Sequence, residues 1–139
     1  MTVIDTTPLV ALCDHRDGLH DVAWEDLATL GGGPFGIIEP VLAEALFLLR
    51  PTHLRLRLRR LLLEELNVTL LSLPHERAPL ESLFEWLSRY AEHTPGWADA
   101  GIAVLCGLEK GLKVWTYDRE FTTIWRKPDG SVIPMAVKM

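Results

Sequence analysis

The sequence predicts an α/β domain built on a mostly parallel sheet. Short apolar runs alternate with helical segments along the chain. The helical segments place apolar residues at helical spacing, and Pro, Gly and Thr stand where elements begin and end. The 139 residues suit one domain with one core, so residues 1–139 are read as a single unit. A content of 48% hydrophobic and 24% charged residues is that of a globular chain and excludes disorder for most of it.

The chain opens with a short apolar strand over residues 2–4 that stops at Asp5. Thr6-Thr7-Pro8 reads as a helix start, with a threonine as N-cap and the proline in the first turn, and Leu9 to Cys13 continue that helix. A polar stretch from Asp14 to Asp21 leads into a second helix that runs through Trp24 and Leu27 to Leu30. Gly31-Gly32-Gly33-Pro34 ends it. This stretch lacks the Lys-Ser/Thr of a P-loop and the GxGxxG arrangement, so it is a turn and not a phosphate cradle.

Residues 35–38 read as a buried strand, and Pro40 opens a helix in which apolar neighbours surround Glu44. Pro51-Thr52 restarts the chain into a long helix over residues 53–66. Leu54, Leu58, Leu61 and Leu62 share one face of it, whereas Leu56 and Leu63 fall on others, which predicts a surface for a partner or a second buried face. A strand over 68–73 follows, then a helix over 80–90 with Leu83, Phe84 and Leu87 on one face. The last elements are a helix from Trp97 to Glu109, a strand over 113–117 and a fifth strand at Val132 and Ile133.

A net charge of -5 argues against nucleic-acid binding through bulk electrostatics, so any such binding needs a metal ion or a local basic surface. Arg50, Arg55, Arg57, Arg59 and Arg60 form the one dense basic run. It reads either as a solvated helix face pairing with Glu64 and Glu65 or as a phosphate strip for RNA, with Arg57 and Arg60 as its contacts. Cys13 and Cys106 have neither CxxC nor zinc-type spacing and read as reduced, buried thiols. The N-terminus lacks the features of a signal peptide, and no apolar run approaches the ~20 residues of a bilayer span. The chain therefore reads as cytoplasmic, with no membrane contact.

Ligands of a parallel sheet bind beyond the carboxyl ends of its strands, and Asp5 and Asp118 follow strands at those ends. Asp99 and Glu44 lie early in their helices, where an anion is favoured in any case. Each of these acids has an ordinary explanation alone. Together they form an all-oxygen set that suits Mg²⁺ or Mn²⁺, because clustered carboxylates repel unless a cation sits among them. The five histidines lack an i, i+4 pair and do not compete for a softer metal.

The segment from Asp5 through Thr6, Thr7 and Pro8 to Leu12 resembles the first motif of PIN-domain nucleases, and Pro40 to Ala45 resembles the second. Ala98-Asp99-Ala100 is similar to the third, and Thr116-Tyr117-Asp118-Arg119-Glu120-Phe121 to the fourth, T-x-D-x-x-F. Tyr90 to Ala100 also resembles the corresponding segment of VapC-type toxins. Thr7 stands where many relatives carry Asn or Ser, and Glu92 where this branch often carries Asp. The resemblance spans nearly the whole chain. It implies a three-layer α/β/α sandwich and an endoribonuclease dependent on Mg²⁺ or Mn²⁺, with Asp5, Glu44, Asp99 and Asp118 as the catalytic and metal-binding acids. Thr6, Thr116 and Glu92 would support them. It also implies an RNA substrate, a homodimer and a cognate antitoxin. The competing expectation is a non-catalytic PIN-like interaction module, because fold alone does not fix function. A receiver-type signalling domain fits less well, since only Asp5 follows the first strand where paired acids are needed.

Overall fold

The computed structural model describes residues 1–138. Four parallel strands form the sheet: β1 (Thr2–Ile4), β2 (Phe35–Ile38), β3 (Thr69–Leu71) and β4 (Lys113–Trp115), in the order β3-β2-β1-β4. The first crossover contains α1 (Thr6–Cys13) and α2 (His20–Leu30), and the second contains α3 (Glu39–Leu48) and α4 (Thr52–Arg60). The third contains α5 (Arg77–Arg89) and α6 (Trp97–Leu108), and α7 (Glu120–Thr123) follows β4. Successive strands step outward from β1 to β2 to β3, and then the chain returns to the other side of β1. Right-handed crossovers therefore put α1–α4 on one face and α5–α6 on the other, which is the three-layer α/β/α sandwich. A sheet with both faces covered needs strands without polar alternation, and Phe35, Gly36, Ile37 and Ile38 are all buried.

Several expected boundaries shift. The expected 53–66 helix is α-helical only to Arg60 and then passes into a π-helical turn, Leu61–Glu65. There the Leu66 N–H reaches back to the Leu61 carbonyl, and the Leu62 carbonyl is left to accept Val68 N–H at 2.8 Å. Asn67, at φ 48°, turns the chain into β3, a conformation asparagine tolerates. Leu54, Leu58, Leu61 and Leu62 are buried, while Leu56 and Leu63 are exposed at 58% and 59% and so do not form a second core face. In α5 the buried face is Leu83 and Trp86, not Phe84, which is exposed. Trp86 stacks against Tyr90 and Trp125, and its indole N–H donates to the Arg126 carbonyl at 2.7 Å. That anchor decides which side of the helix faces inward.

The expected fifth strand does not form. Val132 makes a lone antiparallel bridge to Arg126, and Met135 a lone parallel bridge to Val114. Pro128 and Pro134 lack the N–H needed to extend either ladder, so the tail lies along the outer edge of β4 without becoming a strand. The first helix also starts differently: Asp5, not a threonine, holds the N-cap position, and no side chain caps it. Cys13 and Cys106 are free and buried, and burial pushes their thiols up to about 12 and about 11, which leaves them unreactive at neutral pH. Among the described residues no helix is long and apolar enough to cross a membrane.

Candidate active site

The sheet order reverses between β1 and β4, and a parallel sheet opens a crevice beyond the carboxyl ends of the strands at such a point. Asp5 follows β1 there and Asp118 follows β4 by three residues. The Asp5 N–H donates to the Trp115 carbonyl at 2.9 Å, which carries the β1–β4 pairing into the site and sets Asp5 beside Thr116.

Thr116 is fully buried and joins the two acids. Its hydroxyl donates to Asp5 Oδ2 at 2.8 Å and accepts the Asp118 N–H at 3.0 Å. Thr7, which the sequence marked only as a departure from the family pattern, accepts the Tyr117 N–H at 2.9 Å and ties the start of α1 to the same segment. The Tyr117 hydroxyl donates to Asp26 of α2 at 2.6 Å. Asp118 Oδ1 accepts the Glu120 N–H at 2.9 Å and starts the short α7. Asp99 stands in the first turn of α6, where its Oδ2 accepts the Gly96 N–H at 2.9 Å.

The acids act on one another. Asp5 is only 5% exposed, and burial pushes its carboxyl up to about 7. The Thr116 hydroxyl and the Thr6 backbone pull it down, and the charges of Asp99 and Glu44 push it further up. Burial raises Asp99 to about 6; the Gly96 N–H opposes this, and Asp118, Glu44 and Glu120 add to it. Loss of water also raises Glu44. The structure thus brings Asp5, Glu44, Asp99 and Asp118 into one electrostatic cluster and adds Glu120. The sequence had placed Glu120 only inside the T-x-D-x-x-F motif; its spacing two residues after Asp118 was the available signal.

Other expectations fare differently. Glu44 is an exposed residue rather than one enclosed by its apolar neighbours, because α3 turns only Pro40, Val41 and Ala45 fully inward. Glu92 stays exposed on the 3₁₀ turn Ala91–His93 and is not among the charges that move Asp5, Asp99 or Glu44. Arg57 is not beside the acids, and Arg60 is not among the charges that move Asp5, Glu44 or Asp99. Arg57 packs near Cys13 and over Trp24 at 5.9 Å, at the opposite end of α1 from Asp5. Eight helical residues separate the two ends by about 12 Å. Arg59 pairs with Glu64 at 3.7 Å on an exposed surface, and Arg55 donates to the Leu46 carbonyl at 2.8 Å.

No family model and no curated protein matches the sequence. Solved structures do. The VapC20 toxin of Mycobacterium tuberculosis, a sarcin-ricin loop cleaving toxin, aligns over 88% of this chain and 94% of its own at TM-score 0.70 and 23% identity. The chain shares this toxin's fold, a PIN-like α/β/α sandwich. PAE2754 from Pyrobaculum aerophilum aligns over 88% of this chain and 77% of its own at TM-score 0.50 and 21% identity.

The donor set fits a hard divalent cation. It is all oxygen, neighbouring carboxylates raise Asp5 and Asp99, and the buried Thr6 hydroxyl beside them meets no partner in hydrogen-bond geometry although it faces Glu44 and holds that carboxyl down. Among the described residues no three His, Cys, Asp or Glu side chains already converge tightly enough to hold a metal. Magnesium commonly keeps several waters and takes only one or two protein carboxylates directly, so such spacing is compatible with it.

Proposed function

We propose that this chain is an endoribonuclease dependent on Mg²⁺ or Mn²⁺, acting in the cytoplasm as the toxin of a toxin–antitoxin pair. The observation that carries the reading is the charge of Asp99 and Glu44 acting on buried Asp5, and of Asp118 and Glu44 on Asp99, at the reversal point of a sheet whose fold is shared with a sarcin-ricin loop cleaving toxin. Asp5, Asp99 and Asp118 would hold the ion, with Glu44 completing the set from the open side. An ion bound there supplies Lewis acidity toward a phosphodiester and lowers the pKa of a water at the site.

The chain's own residues prepare this chemistry. The Thr116 hydroxyl fixes Asp5 Oδ2 and, through the Asp118 N–H, sets the segment that carries Asp118. Asp99 is held at the mouth of the crevice by its bond to Gly96. Burial of Asp5 strengthens its attraction for a cation, since few waters compete for its charge. Exposed Phe47, Leu48, Leu56 and Leu63 on α3, α4 and the π turn supply an apolar surface for a second copy of the chain or for an antitoxin helix.

The spread of the acids, with no three converged among the described residues, favours the second reading, a non-catalytic interaction module of the same fold. Cleavage of a structured RNA by the purified protein, with Mg²⁺ or Mn²⁺ and with EDTA, decides between them. The nuclease reading expects metal-dependent cleavage that EDTA stops and that Asp99→Asn lowers at least about a hundredfold while the circular dichroism spectrum is kept. Cleavage that persists in EDTA or in the variant refutes it.

A further inference from the structure

A cavity of about 190 Å³ opens on the same rim as the acids, one strand further along the sheet. Its walls come from the ends of β2 and β3 and the starts of α3 and α6, and include Ile38, Leu71, Trp97, Glu39, His75 and Gly101. Two of its supports also belong to the acid site. The first turn of α6 carries both Trp97 and Asp99, and α3 carries both Glu39 and Glu44. Neighbouring strands lie about 4.8 Å apart, so the cavity begins within one or two such steps of Asp5.

Its contents are unusual for a surface depression. Trp97 is 57% exposed although it stands on a helix whose next turns are almost wholly buried. It is the one tryptophan of the five with an exposed ring; Trp24 is half-buried and Trp86, Trp115 and Trp125 are buried. Among the described residues the Glu39 carboxylate has no ion pair. Gly101 keeps the floor open, since a Cβ there would meet Ile38 Cδ1 at 2.8 Å. The volume falls below the roughly 300 Å³ at which pockets for drug-sized ligands begin, and suits one planar heterocycle.

We infer that this cavity is a nucleobase subsite that receives an unstacked guanine of the RNA lying across the acids, with Trp97 as its stacking platform and Glu39 as its reader. The inference rests on the ribonuclease reading above. Splayed bases are recognised by stacking on aromatic side chains and by hydrogen bonds to the Watson–Crick edge. An ionised carboxylate only accepts, and its two oxygens need two adjacent donors. Guanine alone presents them, as N1–H beside the N2 amino group. Adenine and cytosine set an acceptor next to their amino group, and uracil flanks its single N–H with two carbonyls. His75 and Ser72, on the neighbouring wall, are the polar side chains left for the O6 of guanine. A neutral base also relieves a difficulty of charge, because it brings affinity to an acidic rim that repels phosphate.

Binding of nucleosides to the metal-free protein tests the subsite apart from cleavage. Guanosine is titrated against adenosine, cytidine and uridine, read by tryptophan fluorescence and by the Trp97 indole N–H resonance. Guanosine should quench and shift Trp97 and bind at least about fivefold more tightly than the other three. Trp97→Ala should abolish the binding, Trp97→Phe should keep it within a few fold, and Glu39→Gln should lower guanosine to the level of adenosine. Equal binding of all four nucleosides, no response from Trp97, or an unchanged preference in Glu39→Gln overturns the inference. RNA cleavage separates the two readings. If guanosine binds as described while RNA stays intact with metal, the nuclease reading falls and the base subsite stands. If RNA is cut and Trp97→Ala cuts guanine-containing and guanine-free substrates as the parent does, the subsite falls and the nuclease stands.

Discussion

Replacing Asp5 by asparagine should stabilise the metal-free protein at alkaline pH and leave it little changed in acid. In the folded chain burial raises this carboxyl from 3.8 to about 7, and unfolding returns it to its ordinary value. Between those limits the folded state holds a proton that the unfolded state has released, so stability falls as pH rises through the window and levels off above it. The full span corresponds to about 4 kcal/mol. Asp99, raised to about 6, steepens the fall in the lower part of the window. Asparagine removes the ionisation but keeps an oxygen to accept the Thr116 hydroxyl bond at the Asp5 position. Allowing for relaxation around the charge, Asp5→Asn in EDTA at pH 8 should gain about 2–4 kcal/mol, a rise in Tm of roughly 5–15 °C. At pH 4 the advantage should drop below about 1 kcal/mol. Thermal unfolding followed by circular dichroism at both pH values reads the difference. Millimolar Mn²⁺ should then reverse the order, since ligand binding to the folded state stabilises only the chain that holds the ion. An equal gain at pH 4 and pH 8, or a loss at pH 8, would refute the account of Asp5 as a carboxylate made costly by burial.

Two further outcomes follow from the surface. Leu56→Glu combined with Leu63→Glu should leave Tm within about 1 °C, because both side chains are exposed, and should weaken self-association or antitoxin binding measured by analytical ultracentrifugation; unchanged assembly would remove this face from any interface. Arg57→Gln with Arg60→Gln should flatten the dependence of log K for RNA on log salt by roughly one unit if both touch phosphate. Because Arg57 lies at the far end of α1 from Asp5, it should contact RNA away from the cut, and RNAs too short to span α1 should show no change.

Much of the fold was legible in local pattern. The strand at Phe35–Ile38, the helix begun near Pro40 and the helix from Trp97 rest on apolar runs and on Pro and Gly punctuation, which depend on neighbours in sequence. Motif spacing singled out Asp5, Glu44, Asp99 and Asp118 as candidate acids. What the sequence by itself determined was the kind of elements, their order and a set of candidate carboxylates. Tertiary structure decided the rest, because it depends on contacts between distant segments. The return of β4 to the far side of β1 made the crevice, and a hydroxyl from Thr116 reached Asp5 across 111 positions of chain. Trp86, by reaching Arg126, turned α5 so that Phe84 faced water, and the packing of α4 on α1 carried Arg57 away from the acids. Glu44 ended exposed and Glu92 apart for the same reason: a local pattern gives a residue's place along an element, while burial and neighbours come from what packs against that element.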